Sequence, residues 1–204
     1  EAMVLDLLQF LGGRGVTTIL TAALSPDDQR PFTAAGFTPL EHLALMHRSL
    51  HPGEPAPPSR STHRLRRIGR LRLADALEAD AEAFSTFTPF WRFDGAAYTE
   101  ACQATDLSRQ RCVLNDGQIV AYAITGRSST SGFVQRLAVR PSHEGRGIGS
   151  ALLADAISWL ALGGVRDVWV NTQPDNDRAR ALYRRHGFGE KAEGLTVLQY
   201  ETAR

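Results

Sequence analysis

The stretch from residue 133 to residue 153 constrains the fold of this chain more than any other. An apolar run that favours β structure stops at Pro141, three glycines follow at alternate positions from 145 to 149, and an apolar helix begins near Ser150. Glycines let backbone approach a ligand closely, and the N-terminal N–H groups of a helix lack helical partners and favour negative charge. The stretch therefore predicts a strand, a glycine loop and a helix that can hold a phosphate group, although such turns also serve as plain connectors.

Two common phosphate-binding motifs do not match this loop. A nucleoside-triphosphate loop has Lys directly after its last glycine, whereas Ser150 follows Gly149 and the only lysine is Lys191. A dinucleotide-binding loop needs Gly-x-Gly-x-x-Gly and an acidic residue at the end of the next strand. Here the third glycine comes one residue early and the next strand is expected to end at Asn171. The first motif is excluded and the second is disfavoured.

A second motif lies one strand further along the chain. Together with the loop it resembles the GNAT superfamily of acetyl-CoA-dependent N-acetyltransferases, whose loop pattern is Gln/Arg-x-x-Gly-x-Gly/Ala. Glu144, Gly147 and Gly149 occupy those places, and Glu144 departs from the expected Gln or Arg. The resemblance covers roughly residues 64–204 and is most specific between 135 and 188. The second motif consists of Asn176, Ala179, Leu182, Tyr183, Gly187 and Phe188.

The resemblance implies an α/β (α+β) fold: a mixed central sheet with a β-bulge strand and a V-shaped splay between two strands, flanked by helices. A hairpin turn expected at residues 115–117 comes before the central strand, which counts against a doubly wound fold. We also expect helices over 74–84 and about 95–104, a flexible loop over 126–132, and a closing hairpin from 188 to 200.

The resemblance also assigns roles to side chains. Tyr183 matches the tyrosine near the thioester sulfur, where a protonated phenol can act as general acid; an ordinary core ring would fit the same pattern. Asn176 matches a residue whose amide contacts the cofactor, and it can equally cap a helix. Phe90 and Trp91 are expected to line the acceptor pocket. The implied acetyl-CoA contacts are Leu137, Ala138 and Val139 along the pantetheine arm, and Glu144, Gly145, Arg146, Gly147, Ile148, Gly149 and Ser150 around the pyrophosphate.

The general base is not identified by the resemblance. Ribosomal-protein-type members of the family carry Glu at the end of the strand before Asn176, whereas Asn171 stands there and cannot take a proton. Glu100, Asp94 and His143 are the nearest alternatives, and a base acting through ordered water is equally consistent.

Residues 1–50 echo the C-terminal third of the chain as a degenerate internal repeat. Placing Val16 against Val165 sets Glu1 opposite Ser150. We therefore expect a tandem protein whose first, GNAT-like lobe is represented by its second half, with its start missing before Glu1. The alternative is that any helix, strand, helix and hairpin would look this similar.

The predicted first lobe is given no catalytic role, because Phe32 stands at the place of Tyr183. A proline-rich linker is predicted over 51–63, and a complete acetyltransferase domain over 64–204.

Composition bounds the partners and the compartment. The 204 residues are 43% hydrophobic, enough for the core of one domain or of one domain and a fragment. The formal net charge of +1 offers no field for nucleic acid or an anionic membrane. The two cysteines lack metal-ligand spacing, and the chain has no apolar run near ~20 residues and no secretory signal. These features favour a cytoplasmic protein without metal. We expect a monomer or a homodimer.

Two functions are consistent with these observations. The leading prediction is an N-acetyltransferase that moves acetyl from acetyl-CoA to the primary amine of a small molecule or of a peptide N-terminus. The alternative, suggested by Glu144, Asn171 and the incomplete first lobe, is a non-catalytic acyl-CoA-binding or regulatory relative. The acceptor is not disclosed by the sequence.

Overall fold

The computed structural model describes residues 2–51, 63–87 and 89–202. Apart from its two end residues, the linker predicted over 51–63 lies outside these ranges. In chain order the helices and strands are α1 (Ala2–Gly12), β1 (Thr18–Leu20), α2 (Pro26–Ala34), β2 (Thr38–Ser49), β3 (Leu65–Arg67), α3 (Leu73–Ala83), α4 (Gly95–Gln103), β4 (Leu107–Asn115), β5 (Gln118–Ser128), β6 (Ser131–Val139), α5 (Ile148–Leu162), β7 (Asp167–Thr172), α6 (Asp177–Arg185), β8 (Gly189–Glu190) and β9 (Leu195–Glu201).

The chain divides into two compact units. The first unit comprises Glu1–Met46, Asn171–Ala181 and Gly189–Arg204, and the second comprises His47–Val170 and Leu182–Phe188. Both units are discontinuous in sequence, because β2, β7 and α6 each run from one unit into the other. The prediction of a partial lobe over residues 1–50 and a complete domain over 64–204 stays a prediction.

The second unit contains a mixed sheet with the strand order β7-β6-β5-β4-β3, in which only β6 and β7 are parallel. The central strand β5 is buried on both faces from residue 119 to residue 126, which explains the unbroken apolar run at 119–124. Tyr122 and Ile124 pack with α3 and α4 on one face, whereas Ala121 and Ala123 pack with α5 on the other. The expected mixed sheet flanked by helices is confirmed.

The two predicted features of the central strands are also present. Opposite β5, the register of β6 shifts so that Ile124 faces Arg136 and Thr125 faces Val134, which leaves Gln135 as a β-bulge. On its other edge, β6 pairs with β7 only from Ser131 to Phe133. Beyond Phe133, β6 has no strand partner on that edge among the described residues, so the two strands separate toward the carboxyl end of β6.

Of the turn and the loop predicted around β5, the structure contains the turn but not the loop. The hairpin between β4 and β5 is confirmed, with Asp116 and Gly117 at φ angles of 48° and 83°. The flexible loop predicted over 126–132 is wrong, because β5 and β6 continue through it to a tight turn at Ser129. Gly126 lies within β5, where the side chains of Thr105 and Gln135 leave no room for a Cβ atom. The glycine at this position therefore serves close packing rather than flexibility.

The first unit has its own strands and its own core. Strand β9 lies between β1 and β2, and Val4, Leu8, Phe37 and Leu198 are buried together. The closing hairpin predicted from 188 to 200 is wrong, because β8 and β9 both pair with β2 instead of with each other. The twelve-residue strand β2 comes from the other end of the chain, so no local pattern could reveal it as the partner.

Local geometry at the two ends of the chain is similar. The N–H of Phe37 donates to the carbonyl of Phe32 at 3.1 Å, and their ring centroids are 5.4 Å apart. The N–H of Phe188 donates to the carbonyl of Tyr183 at the same distance, with ring centroids 5.8 Å apart. This correspondence supports the internal repeat, which stays a prediction together with the tandem architecture.

Candidate active site

The glycine loop leads from β6 into α5 in a conformation that requires glycine. A short 3-10 turn over Pro141–His143 ends the strand, and Gly145 and Gly147 then adopt φ angles of 72° and 77°. Gly147 is the N-cap of α5. Apart from the adjacent residues of the loop, no atom of residues 2–51, 63–87 and 89–202 lies within 4 Å of the Cβ position at either glycine, so this part of the chain leaves the loop open on that side. A ligand can therefore reach the backbone directly.

The backbone N–H groups of this loop are available to a ligand. From Gly145 to Ser150, none donates to an acceptor in the part of the chain that the structure describes. The N–H of Glu144 is different, because it donates to the carbonyl of Pro141 at 3.3 Å. A run of N–H groups at the N-terminus of a helix favours an anion, so these donors could hold the predicted pyrophosphate.

The separated edge of β6 continues from this loop. The N–H of Arg140 donates to the carbonyl of Val120 at 2.8 Å, and antiparallel pairing alternates from there. The backbone of Ala138 is consequently bonded to β5, whereas the N–H and C=O groups of Leu137 and Val139 point toward the gap left by β7. Two of the three predicted pantetheine contacts therefore present backbone groups to an extended ligand.

Gly149 joins this edge to the helix that carries Tyr183. A Cβ atom at Gly149 would lie 3.4 Å from Leu182, 3.6 Å from Val139 and 3.7 Å from Leu137. The start of α5, the edge of β6 and the end of α6 therefore meet within the second unit.

Tyr183 is only 5% exposed, and its hydroxyl makes no hydrogen bond to the described part of the chain. Burial raises the pKa of Tyr183 to about 12, an effect that the positive charge of Arg136 partly offsets. The phenol therefore keeps its proton at neutral pH and is a hydrogen-bond donor.

A buried ion pair, not predicted from the sequence, lies at the centre of the second unit. Asp80 on α3 is fully buried and Arg136 on β6 is 7% exposed. The carboxylate accepts from Arg136 at 2.6 and 2.7 Å, from the Tyr122 hydroxyl at 2.6 Å and from the Phe93 N–H at 2.9 Å. These donors satisfy the desolvated carboxylate. The available indication in the sequence is that Asp80 falls on the inner face of α3, beside Ala76 and Ala79.

Arg136 also anchors the predicted acceptor wall. Its guanidinium donates to the carbonyl of Trp91 at 2.5 Å and lies between the rings of Phe84 and Phe93, at 3.5 and 4.0 Å from their centroids. The Phe90 ring is 41% exposed and lies 4.7 Å from the Trp91 ring. One buried side chain therefore holds the turn that carries Phe90 and also acts electrostatically on Tyr183.

A second unpredicted contact occurs at the N-terminus of α5. The hydroxyl of Ser150 lies 2.7 Å from Nε2 of His186, which follows α6 and is 8% exposed. Ser150 was predicted as a pyrophosphate contact, whereas His186 was not singled out. The pair joins two segments that lie far apart in sequence, which explains why no local pattern reveals it.

The remaining predicted residues have separate local roles. Asn176, in the first unit, caps α6 by accepting from the N–H of Ala179 at 3.1 Å. Asp94 caps α4 through the N–H of Ala97 at 2.8 Å, and His143 lies 2.9 Å from the hydroxyl of Ser142. Glu100 lines an open groove along α4 with Thr99 and Gln103, and Asn171 lies exposed on β7. Glu100, Asp94 and His143 stay alternatives for the general base, together with a base that acts through ordered water.

Metal ligands and membrane spans were also sought over residues 2–51, 63–87 and 89–202. These ranges contain no cluster of three or more His, Cys, Asp or Glu side chains arranged to hold a metal ion. None of the helices within them combines the length and the apolar character needed to cross a membrane.

Comparison with known proteins gives consistent matches. Residues 63–188 match the family model described as acetyltransferase (GNAT) family. The chain is 42% identical over 128 residues to N-alpha-acetyltransferase RimI of Mycobacterium tuberculosis, covering 59% of this chain and 77% of that protein. It is 31% identical over 120 residues to mycothiol acetyltransferase of Kocuria rhizophila, covering 59% of this chain but only 36% of the relative's length. A tandem GNAT protein from the clavulanic acid biosynthesis pathway has a similar fold, with a TM-score of 0.69 at 15% identity, covering 100% of this chain and 70% of that one.

Proposed function

Because the chain belongs to the acetyltransferase (GNAT) family, we propose that it transfers the acetyl group of acetyl-CoA to a primary amine. The acceptor class is the amine of a small molecule or of a peptide N-terminus, the two kinds of acceptor suggested by the names of its relatives. The observation that carries the proposal is the run of N–H groups from Gly145 to Ser150, which have no protein partner among the described residues and continue the separated edge of β6.

The first task of these residues is to hold the donor. Acetyl-CoA supplies an activated thioester carbonyl and a thiolate leaving group. The N–H groups of Gly145 to Ser150 hold its pyrophosphate, and the backbone groups of Leu137 and Val139 pair with the pantetheine arm. An N–H on this edge can also stabilise the negative charge that develops on the thioester oxygen.

Tyr183 is the candidate general acid that protonates the departing thiolate. Since burial raises the pKa of Tyr183 to about 12, the phenol donates a hydrogen bond to the departing sulfur and holds its own proton firmly before transfer. Its lack of a protein partner among the described residues leaves the hydroxyl available for this task.

The acceptor amine must approach the same carbonyl in its neutral form. The turn that carries Phe90 and Trp91 supplies an aromatic wall, and the Arg136–Asp80 pair fixes this turn to β6. Arg136 is a positioning residue in this proposal, because its Nε and Nη2 groups donate to Asp80 and Trp91 and its guanidinium stacks on two aromatic rings.

Thiol release from acetyl-CoA tests the proposal. The purified protein is assayed with a panel of small amines and of peptides with free N-termini, while binding of CoA is measured by calorimetry. Release that depends on an amine acceptor supports the enzyme. CoA binding without release under any acceptor identifies the non-catalytic relative, which the amide at Asn171 and the carboxylate at Glu144 make a second candidate.

A further inference from the structure

We propose that His186 is a positioning residue for the donor site: it donates to the Ser150 hydroxyl, so that the hydroxyl proton is directed to a pyrophosphate oxygen. The inference rests on the proposed function in one respect, namely that a diphosphate binds at the N-terminus of α5. It adds a side-chain donor and a supporting imidazole to a site otherwise formed by backbone groups.

The protonation of His186 follows from its surroundings. Nε2 lies 2.7 Å from the Ser150 hydroxyl, whereas Nδ1 is buried and has no partner among the described residues. An orphaned buried N–H group is rarer than an acceptor without a donor. The favoured tautomer therefore carries its proton on Nε2, which donates to Ser150.

The charged groups around the imidazole favour its neutral form. Arg48 on β2 donates to the carbonyl of His186 at 2.5 Å, and Arg185 precedes His186 in the chain. Burial, reinforced by these two positive charges, lowers the pKa of His186. The imidazole is consequently a neutral donor at physiological pH.

The Ser150 hydroxyl is withheld from the acceptor that a helical serine normally uses. Ser158 in the same helix shows the usual arrangement, because its hydroxyl donates to the carbonyl of Ala154 at 2.7 Å. The corresponding carbonyl for Ser150 belongs to Arg146, and this oxygen lies 3.0 Å from Nε2 of His63 instead. With the imidazole proton on Nε2, His186 is a donor to Ser150, and the described residues offer no protein acceptor for the Ser150 hydroxyl.

The direction of the remaining proton follows from helix geometry. Side chains of a helix tilt toward its N-terminus, and Ser150 is the third residue of α5. Its backbone N–H also lacks a partner in the described part of the chain. Ser150 therefore offers two donors toward the open loop, and a diphosphate is the chemistry that can accept both.

Two ligands provide the test: CoA, and pantetheine, which lacks the nucleotide diphosphate portion of CoA. Ser150→Ala and His186→Asn, which loses the donor at the Nε2 position, are expected to raise the Kd for CoA about tenfold, as for loss of a hydrogen bond to a charged group. Binding of pantetheine, which has no diphosphate, is expected to change less than about twofold. His186→Gln places an amide N–H near the Nε2 position and should restore CoA affinity. Ser158→Ala is the matched control on the same helix and should bind CoA like the wild type.

The double variant separates a hydrogen-bonded chain from independent effects. If both residues act through one hydroxyl, Ser150→Ala combined with His186→Asn binds CoA no more weakly than Ser150→Ala alone. The inference would be overturned by any of three results. These are a double variant whose loss of CoA affinity is the product of the two single losses, equal losses of affinity for CoA and for pantetheine, and unchanged CoA affinity in Ser150→Ala. These binding measurements need no turnover, so a wild-type protein that binds CoA but never releases thiol refutes the proposed function while leaving this inference supported or overturned by its own data.

Discussion

Replacing Asp80 by Asn tests the energetic role of the buried ion pair. The substitution keeps the shape of the side chain, so it creates no cavity, but it removes the negative charge that faces Arg136. Asp80 is 0% exposed and Arg136 is 7% exposed, so solvent cannot compensate the guanidinium that remains. Breaking a buried pair by removing one partner costs about 3–5 kcal/mol.

The expected loss follows from the number of donors that the carboxylate satisfies. Asn cannot accept from Tyr122, Phe93 and both Arg136 nitrogens at once, because one of its two polar atoms is itself a donor. We expect the free energy of unfolding to fall by about 3 kcal/mol or more. For a chain of this size, that loss lowers the melting temperature by about 6–12 °C.

The assay is chemical denaturation together with thermal unfolding followed by circular dichroism. Glu78→Gln is the matched control, because Glu78 lies on the same helix, is 72% exposed and faces Arg140 at 3.7 Å. An exposed pair of this kind contributes less than about 1 kcal/mol. An Asp80→Asn protein as stable as the Glu78→Gln control would refute the conclusion that the pair is desolvated and mutually dependent.

Four further predictions concern the candidate site. Tyr183→Phe should lower turnover about 100-fold while leaving the Kd for CoA nearly unchanged, and equal turnover would remove Tyr183 from the mechanism. Because the pKa of Tyr183 is about 12, no fall in kcat below pH 10 should originate from this phenol; an alkaline fall there that disappears in Tyr183→Phe would contradict the burial argument. Gly147→Ala, at a φ of 77°, should cost about 1–2 kcal/mol of stability and weaken CoA binding. Gly95→Ala should leave both unimpaired, because Gly95 has no left-handed φ and no atom of the described residues beyond its neighbours lies within 4 Å of its Cβ position. The pKa of His186 is lowered in the folded protein, so His186 stays neutral there but takes up a proton in the unfolded chain below about pH 6.5. The free energy of unfolding should therefore fall as the pH drops below that value. His186→Gln should flatten this dependence, and an unchanged slope would argue against the contribution of His186.

The sequence predicts those parts of the backbone whose conformation depends on neighbouring residues in the chain. The loop from 145 to 149 could be predicted because left-handed glycines followed by an apolar helix have few structural alternatives. The turn at Asp116 and Gly117 was recognised for the same reason. The β-bulge and the separation of β6 from β7 came from the family resemblance, since neither feature leaves a mark in composition or periodicity.

Local rules failed where a partner lies far away in sequence. Gly126 looked like part of a mobile loop, but the close approach of Gln135 makes it a packed strand position. The segment after Phe188 looked like a hairpin, but β2 provides its pairing edge.

The amino-acid sequence by itself determined that a strand, a glycine loop and a helix would expose N–H groups to an anion, because φ preferences and unsatisfied helix ends belong to the residues themselves. Only the tertiary structure decided which side chains serve this site. Asp80 and Arg136, or Ser150 and His186, meet because the sheet and its helices bring distant segments to hydrogen-bonding distance. The pKa values of Tyr183 and His186 likewise depend on burial and neighbouring charge, which exist only after the chain has folded.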